Sequence, residues 1–242
     1  MRPGVKSLSA IVFVTAAVSA CAPAPAPLPP PPPAVVIVPP APPPPPSMPL
    51  PPGGAALSTV VPPFGADGVR VTPNRGISSE EQIWHLRAAL NVAALACQGP
   101  VWDEISRNYN QYITLHKARL AQTTKLVDAD FVKRYPGRNG LRVRDTKMTE
   151  LYNYFAFPPV HSEFCDVSLA KTRELIALPT ASLPTYSVTA LGEVDGVFIR
   201  FYNAFEQYQR DLADWNLRYG PQAQMIPAST TPTTAPVKPT TR

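Results

Sequence analysis

Prolines crowd the ends of this chain and are sparse in its middle, and that distribution limits what can fold. Of 33 prolines in 242 residues, about 20 lie between Pro23 and Pro63, and a smaller group follows Tyr219. Proline has a fixed φ and no amide hydrogen, so dense runs cannot form helix interiors or central strands. Runs such as Pro29 to Pro33 and Pro42 to Pro46 favour polyproline II. Forty residues of it reach on the order of 120 Å, at about 3.1 Å per residue. The tail containing Thr230-Thr231-Pro232-Thr233-Thr234 has the composition of a disordered segment. What remains is one domain's length, enough to bury a core without help from metals.

The N-terminus carries a different signal. Arg2 and Lys6 precede a mostly apolar run from Leu8 to Val18, followed by Ser19 and Ala20. That is the three-part pattern of a secretory leader, and with those flanks it is too short to span a membrane. Val18-Ser19-Ala20-Cys21 resembles the bacterial lipobox, in which the cysteine is lipidated and becomes the new N-terminus. Four parts are therefore expected: a lipoprotein signal peptide at 1–20, a lipid-anchored proline-rich linker at 21–71, a helical domain at 72–220, and a disordered tail at 221–242. The alternative is an ordinary leader cleaved nearby, with Cys21 incidental. Cys21 is followed by Ala22. In lipoprotein sorting an aspartate there marks inner-membrane retention, so the expected location is the outer membrane, facing the periplasm.

Three cysteines are an odd number for an oxidising compartment. With Cys21 lipidated, Cys97 and Cys165 remain as an expected disulfide, with two buried free thiols as the alternative. Closing a loop of that size contributes roughly 4 kcal/mol in the chain-entropy picture. The two are not in a Cys-x-x-Cys arrangement, which argues against a redox pair. The formal charge is +5; without Arg2 and Lys6, 20 bases face 17 acids, a net of +3. A charge that small does not argue for nucleic acid.

The middle of the chain reads as helices, with no competing strand alternation. Ser78 or Ser79 can cap a first helix running to about Cys97, with Glu81 or Gln82 completing a capping box. Its apolar residues go nearly all round, as in a central helix. A second helix is expected from about Val101 to Arg134, a third from about Thr146 to Phe157, and a fourth from about Ser162 to Leu178. The last is the clearest. Leu191, Val194, Phe198, Phe201, Phe205, Tyr208, Leu212, Trp215 and Tyr219 alternate at three and four, the spacing of a sustained packing seam. Gly192 and Gly196 each cost roughly 1 kcal/mol in a helix, so a start after Gly196 is expected, or a close neighbouring backbone. The fold class is all-α, an irregular bundle of four or five helices. The aromatic seam reads as core, with a lipid-lined cavity as the alternative.

Candidate chemistry is thin. His85, His116 and His161 are the only histidines, and none sits in a metal-binding pattern such as His-Glu-x-x-His. His116, on an apolar stripe, reads as a satisfied core histidine. Glu163 and Asp166 suit a helix N-terminus by charge alone. Cys165 near His161 could form a thiol–imidazole couple, but a partner in Cys97 makes a disulfide the better account. No catalytic residue, cofactor or metal is assigned. Lys133, Arg134, Arg138, Arg142, Arg144 and Lys147 crowd fifteen residues with Asp145 as the sole acid among them. Gly137 and Gly140 make that stretch a loop before a helix start, a setting that suits an anion; the alternative is a solvated connector.

The run Trp84-His85-Leu86-Arg87-Ala88-Ala89-Leu90-Asn91-Val92-Ala93-Ala94-Leu95-Ala96-Cys97 resembles one in an uncharacterised family of proteobacterial envelope proteins. So do Tyr109-Asn110 with His116 downstream, and Leu151-Tyr152-Asn153-Tyr154-Phe155-Ala156 leading to Phe164-Cys165. The resemblance covers most of the domain and implies helices and a cysteine pair, with no activity attached. The expected function is a non-enzymatic lipoprotein: a helical module on a stalk, held to the membrane by lipid on Cys21. Its partner would be an anionic envelope component or another envelope protein. The alternative is an envelope hydrolase acting on cell wall or lipid. A pocket where His116 meets an acid from another helix would favour the hydrolase, and a filled core the module.

Overall fold

The computed structural model describes residues 43–137 and 139–221. The leader, Cys21, Arg138 and most of the tail lie outside the described residues. The described residues from Pro45 onward form one compact unit. Six α-helices make up its body: α1 (Ser79–Ala96), α2 (Asp103–Leu115), α3 (Lys117–Arg134), α4 (Gly140–Phe155), α5 (His161–Ala177) and α6 (Leu183–Tyr219). Among the described residues there is no strand, only an isolated antiparallel bridge between Phe64 and Arg70. No helix among them is long and apolar enough to cross a membrane.

Helix α1 is central, as its composition predicts. Ile83, Leu86, Ala89, Leu90 and Ala93 are fully buried, and the helix packs against all five others. Its start is a capping box: Ser78 Oγ accepts from the Glu81 amide at 3.2 Å, and Glu81 Oε2 accepts from the Ser78 amide at 3.0 Å. It stops at Cys97, ahead of Gly99 and Pro100.

The expected long second helix is two helices. The chain bends at His116, whose backbone leaves helical geometry at φ −102° and ψ 16°. The imidazole explains the bend. It is 1 % exposed, with Nδ1 2.9 Å from Thr180 Oγ1 and Nε2 3.2 Å from the Leu175 carbonyl. A straight helix would carry α3 away from α1 and α4, against which it packs.

Helix α4 begins six residues before the expected Thr146. Asn139 caps it by accepting from the Arg142 amide at 3.1 Å. Gly140 permits this start, because a Cβ there would lie 2.7 Å from both the Phe131 carbonyl oxygen and Val132 Cα. Residues 140–147 are thus helix, and the loop is only the short turn before them.

Helix α6 does not wait for Gly196. It starts at Leu183, with Pro184 in the first turn, and runs 37 residues. Burial of Leu183, Ser187, Ala190, Leu191 and Val194 ties its first half to the bundle, and that packing outweighs the cost of two glycines. No backbone approaches them: nothing lies within 4 Å of a Cβ built on Gly192, and only the Arg200 guanidinium lies near Gly196. The seam is core from Leu191 to Tyr208, with Phe198 and Phe205 fully buried and Phe201 and Tyr208 nearly so, while Leu212, Trp215 and Tyr219 are half-buried. Phe198 meets Tyr154, Phe155 and Phe164 at centroid distances of 4.4, 5.8 and 5.7 Å.

The folded unit starts earlier than the expected boundary at residue 72. Residues 45–78 run as an extended strap along the bundle. Gly53 fits against the Pro159 carbonyl oxygen, 2.3 Å from where a Cβ would be. Ala55 is buried. Arg70 is 2 % exposed and every polar atom of its guanidinium is occupied. Nε donates to Asn203 Oδ1 (2.7 Å), Nη1 to the Pro62 carbonyl (2.8 Å) and Nη2 to Glu206 Oε2 (2.7 Å). The Phe64 ring covers it at 4.1 Å.

Candidate functional site

The densest polar construction in the unit lies where the strap crosses α6. Asp195 is buried in the middle of α6, on the stripe that also carries Leu191 and Phe198. Its Oδ2 accepts from Thr72 Oγ1 at 2.8 Å, and its Oδ1 accepts from Asn74 Nδ2 at 2.6 Å and from the Tyr154 hydroxyl at 2.7 Å. The strap, α4 and α6 thus meet on one carboxylate. A buried carboxylate with three donors is satisfied where an unpaired one would be costly. Burial and the neighbouring Asp195 raise the Tyr154 pKa strongly, so its hydroxyl stays a donor.

Asn74 extends the chain of contacts to α1. A carboxylate oxygen only accepts, so the amide nitrogen of Asn74 must face Asp195 and its oxygen must face His85. His85 Nδ1 lies 2.9 Å from that oxygen and therefore carries the ring proton. Nε2 is left as an acceptor with no hydrogen-bond partner among the described residues. Burial lowers the His85 pKa to about 4, against an opposing pull from Glu81. The neutral ring lines a pocket of about 420 Å³ with Thr72, Glu81, Arg134, Tyr135, Lys147 and Glu150. Four of the pocket's charges pair with one another, Arg134 with Glu81 at 2.7 Å and Lys147 with Glu150 at 2.7 Å, while Arg75 on its rim pairs with Asp67.

The sequence-derived candidates fall as follows. Cys97 and Cys165 form a disulfide, with Cα atoms 5.7 Å apart, joining the end of α1 to the first turns of α5. His116 is a satisfied core histidine. It meets a hydroxyl and a carbonyl, not an acid, so the pocket that would have marked a His116 hydrolase is not there. Glu163 pairs with Arg200, and Asp166 accepts from the Trp102 indole at 2.9 Å.

The basic segment requires a correction. Only its short centre is a loop, and the structure pairs Arg134, Arg144 and Lys147 with acids, while the side chains of Lys133 and Arg142 have no ion pair among the described residues. Lys133 and Arg134 end α3, while Arg142, Arg144 and Lys147 lie on α4. Arg134 also pairs with Asp130, at 2.7 Å, and Arg144 with Asp128 and Asp145. The acids that offset the cluster come mostly from outside the fifteen-residue window. Arg138 and the lipidation candidate Cys21 lie outside the described residues.

Asp195, Asn74 and Arg70 were not singled out by sequence. The available signal for Asp195 was its position: four residues after Leu191 and three before Phe198, an acid on an apolar stripe. The strap residues offered none, because their proline-rich surroundings read as solvated linker. Together these features define an all-α, disulfide-stapled bundle with an extended strap, and no family model, curated protein or solved structure matches the chain.

Proposed function

We propose that the chain is a lipid-anchored protein of the bacterial envelope, presenting a rigid helical module that binds or scaffolds another envelope component. The leader would be removed, Cys21 lipidated, and the proline-rich segment before Pro45 would serve as spacer. The observation that carries the module is a filled core whose largest buried polar groups are bonded to protein. His116 is bonded at both ring nitrogens, Asp195 at both carboxylate oxygens and Arg70 at all three guanidinium nitrogens. The Cys97–Cys165 disulfide supports export, because such bonds persist in oxidising compartments. Cell fractionation of the native chain and a Cys21→Ser variant tests the anchor. The variant is expected in the soluble periplasmic fraction, with the lipid mass lost. A variant that stays with membranes at unchanged mass refutes the anchor.

One observation favours the alternative of an envelope hydrolase acting on cell wall or lipid. His85 is oriented by Asn74 and Asp195 and offers Nε2 as a base at a pocket, which is how general bases are held. Incubating the purified protein with peptidoglycan and with phospholipid distinguishes the two. Turnover that disappears in His85→Gln supports the hydrolase, and none in either substrate supports the module.

A further inference from the structure

Beside the disulfide stands a histidine whose position the staple alone does not require. Cys97 caps the end of α1, and His161 and Cys165 are four residues apart in the first turns of α5. One ligand atom from each of the three, two sulfurs and a ring nitrogen, lies within 4.8 Å of the others. His161 Nδ1 and Nε2 are 3.9 and 3.7 Å from Cys165 Sγ. Two ligands on one tetrahedral zinc ion, at ordinary Zn–S and Zn–N bond lengths, stand about 3.5–3.8 Å apart. Both ring nitrogens stand close to that spacing from Cys165 Sγ, Nε2 within it and Nδ1 just beyond it.

The ring is also oriented as a ligand. Nε2 lies 3.2 Å from the Ala96 carbonyl oxygen, which only accepts, so Nε2 bears the proton and Nδ1 keeps its lone pair. A backbone carbonyl holding the far nitrogen is the usual outer partner of a metal-bound histidine. Trp102 meets the ring edge-on at 5.6 Å and is itself fixed through Asp166. The cysteines are buried, while His161 also lines an open pocket of about 680 Å³, so the cluster has a solvent side.

We propose that the reduced protein binds a zinc-class divalent ion through Cys97, Cys165 and His161, so that disulfide and metal are alternative staples between α1 and α5. A dithiol reductant supplies two electrons and two protons. The Cys97–Cys165 bond breaks, each sulfur becomes a thiol, and the donor leaves as its own disulfide. The ion then displaces both thiol protons and takes Nδ1 of neutral His161 as third ligand, two protons being released per ion bound. Oxidation by a disulfide-forming partner returns the bond and expels the ion. The site is independent of the envelope reading, since it needs only the residues of the bundle.

The test uses the chain from residue 21 onward, carrying Cys21→Ser so that no third thiol competes. It is reduced with a phosphine and titrated with cobalt(II), then with zinc. One cobalt per reduced chain is expected, with a near-ultraviolet thiolate-to-metal band that zinc abolishes, and no such band in the oxidised protein. His161→Ala should weaken cobalt binding at least about tenfold while its oxidised form melts normally. Cys97→Ser should remove the band. If the reduced chain loses helix, zinc should restore the helical circular dichroism. Equal affinity in His161→Ala, binding to the oxidised form with the same band, or a reduced chain that shows neither band nor regained helix would overturn the site.

Discussion

The indole N–H of Trp215, near the end of α6, donates to the carbonyl oxygen of Pro46 at 2.8 Å. The two residues are 169 positions apart, so the contact pins the start of the folded unit to its last helix. Proline carbonyls suit this role, because proline-rich chain makes few internal hydrogen bonds and leaves its carbonyls free. Trp215→Phe keeps the ring and removes the donor. The first stretch of the strap is expected to loosen, and chymotryptic cleavage after the exposed Leu57 to increase. Stability should fall by about 1 kcal/mol, the net value of one such bond. Unchanged cleavage after Leu57, with unchanged stability, would show that the bond contributes nothing to holding the strap.

Asp195 is a heavier fastening than Trp215, because one carboxylate holds three donors. Asp195→Ala strands the Thr72 hydroxyl, the Asn74 amide and the Tyr154 hydroxyl together, and a buried donor left unpaired costs about 1–3 kcal/mol. A loss of about 3 kcal/mol or more is expected in urea unfolding, with faster exchange at Thr72 and Asn74. Tyr154→Phe removes one donor and should cost about 1 kcal/mol. An Asp195→Ala loss no larger than that of the exposed control Asp214→Ala would remove Asp195 from this role.

The sequence made some of this legible and hid the rest for identifiable reasons. The capping box at Ser78 and Glu81 and the aromatic seam of α6 are local patterns, so periodicity and spacing found them. The Cys97–Cys165 bond followed from parity once Cys21 was set aside. The bend at His116 was invisible because Leu115-His116-Lys117 contains neither glycine nor proline; a tertiary contact to Thr180 and Leu175 breaks the helix there. The pairing of the basic segment was hidden because its acids, Glu81 and Asp128 among them, lie outside the window in which the bases cluster. The strap was misplaced because composition reports what a segment cannot do alone, and Arg70, Thr72 and Asn74 act only against α6.

Buried hydroxyls without partners mark places where the native sequence is not at its most stable. Tyr112, Ser168 and Ser187 each bury a side-chain oxygen with no hydrogen-bond partner among the described residues. Ser168 and Ser187 are fully buried. Replacing either with alanine removes an unsatisfied polar atom at little change in volume. Each variant is expected to be neutral or up to about 1 kcal/mol more stable. A loss of more than 1 kcal/mol in both would mean that the hydroxyls do find partners in solution.

His85 gives the fold a specific response to pH. Its ordinary pKa of 6.5 falls to about 4 in the folded protein, because burial disfavours the charged ring, with Glu81 opposing. Below pH 6.5 the unfolded chain takes up this proton and the folded chain does not, so the unfolded state binds more protons and stability falls as pH falls. The contribution is complete above about pH 6.5, is lost between 6.5 and 4, and is gone below 4. A drop of about 2.5 pKa units corresponds to about 3 kcal/mol in total. The lowered carboxylates Glu80, Glu81 and Glu104 also lose stability on acidification, but only below their ordinary value of 4.5. Between pH 6.5 and 4.5 the contribution of His85 is therefore read as the difference in slope between the native chain and a variant that lacks the ring. Urea unfolding at pH 7, 6 and 5 is expected to show a steady loss in the native chain. His85→Gln retains an amide donor for Asn74 but cannot titrate, so its stability should fall less steeply over the same range. Nitrogen shifts of the imidazole should report the Nδ1–H tautomer at pH 7. Parallel slopes for the two proteins, or an Nε2–H ring, would exclude the arrangement of His85 on Asn74 and Asp195.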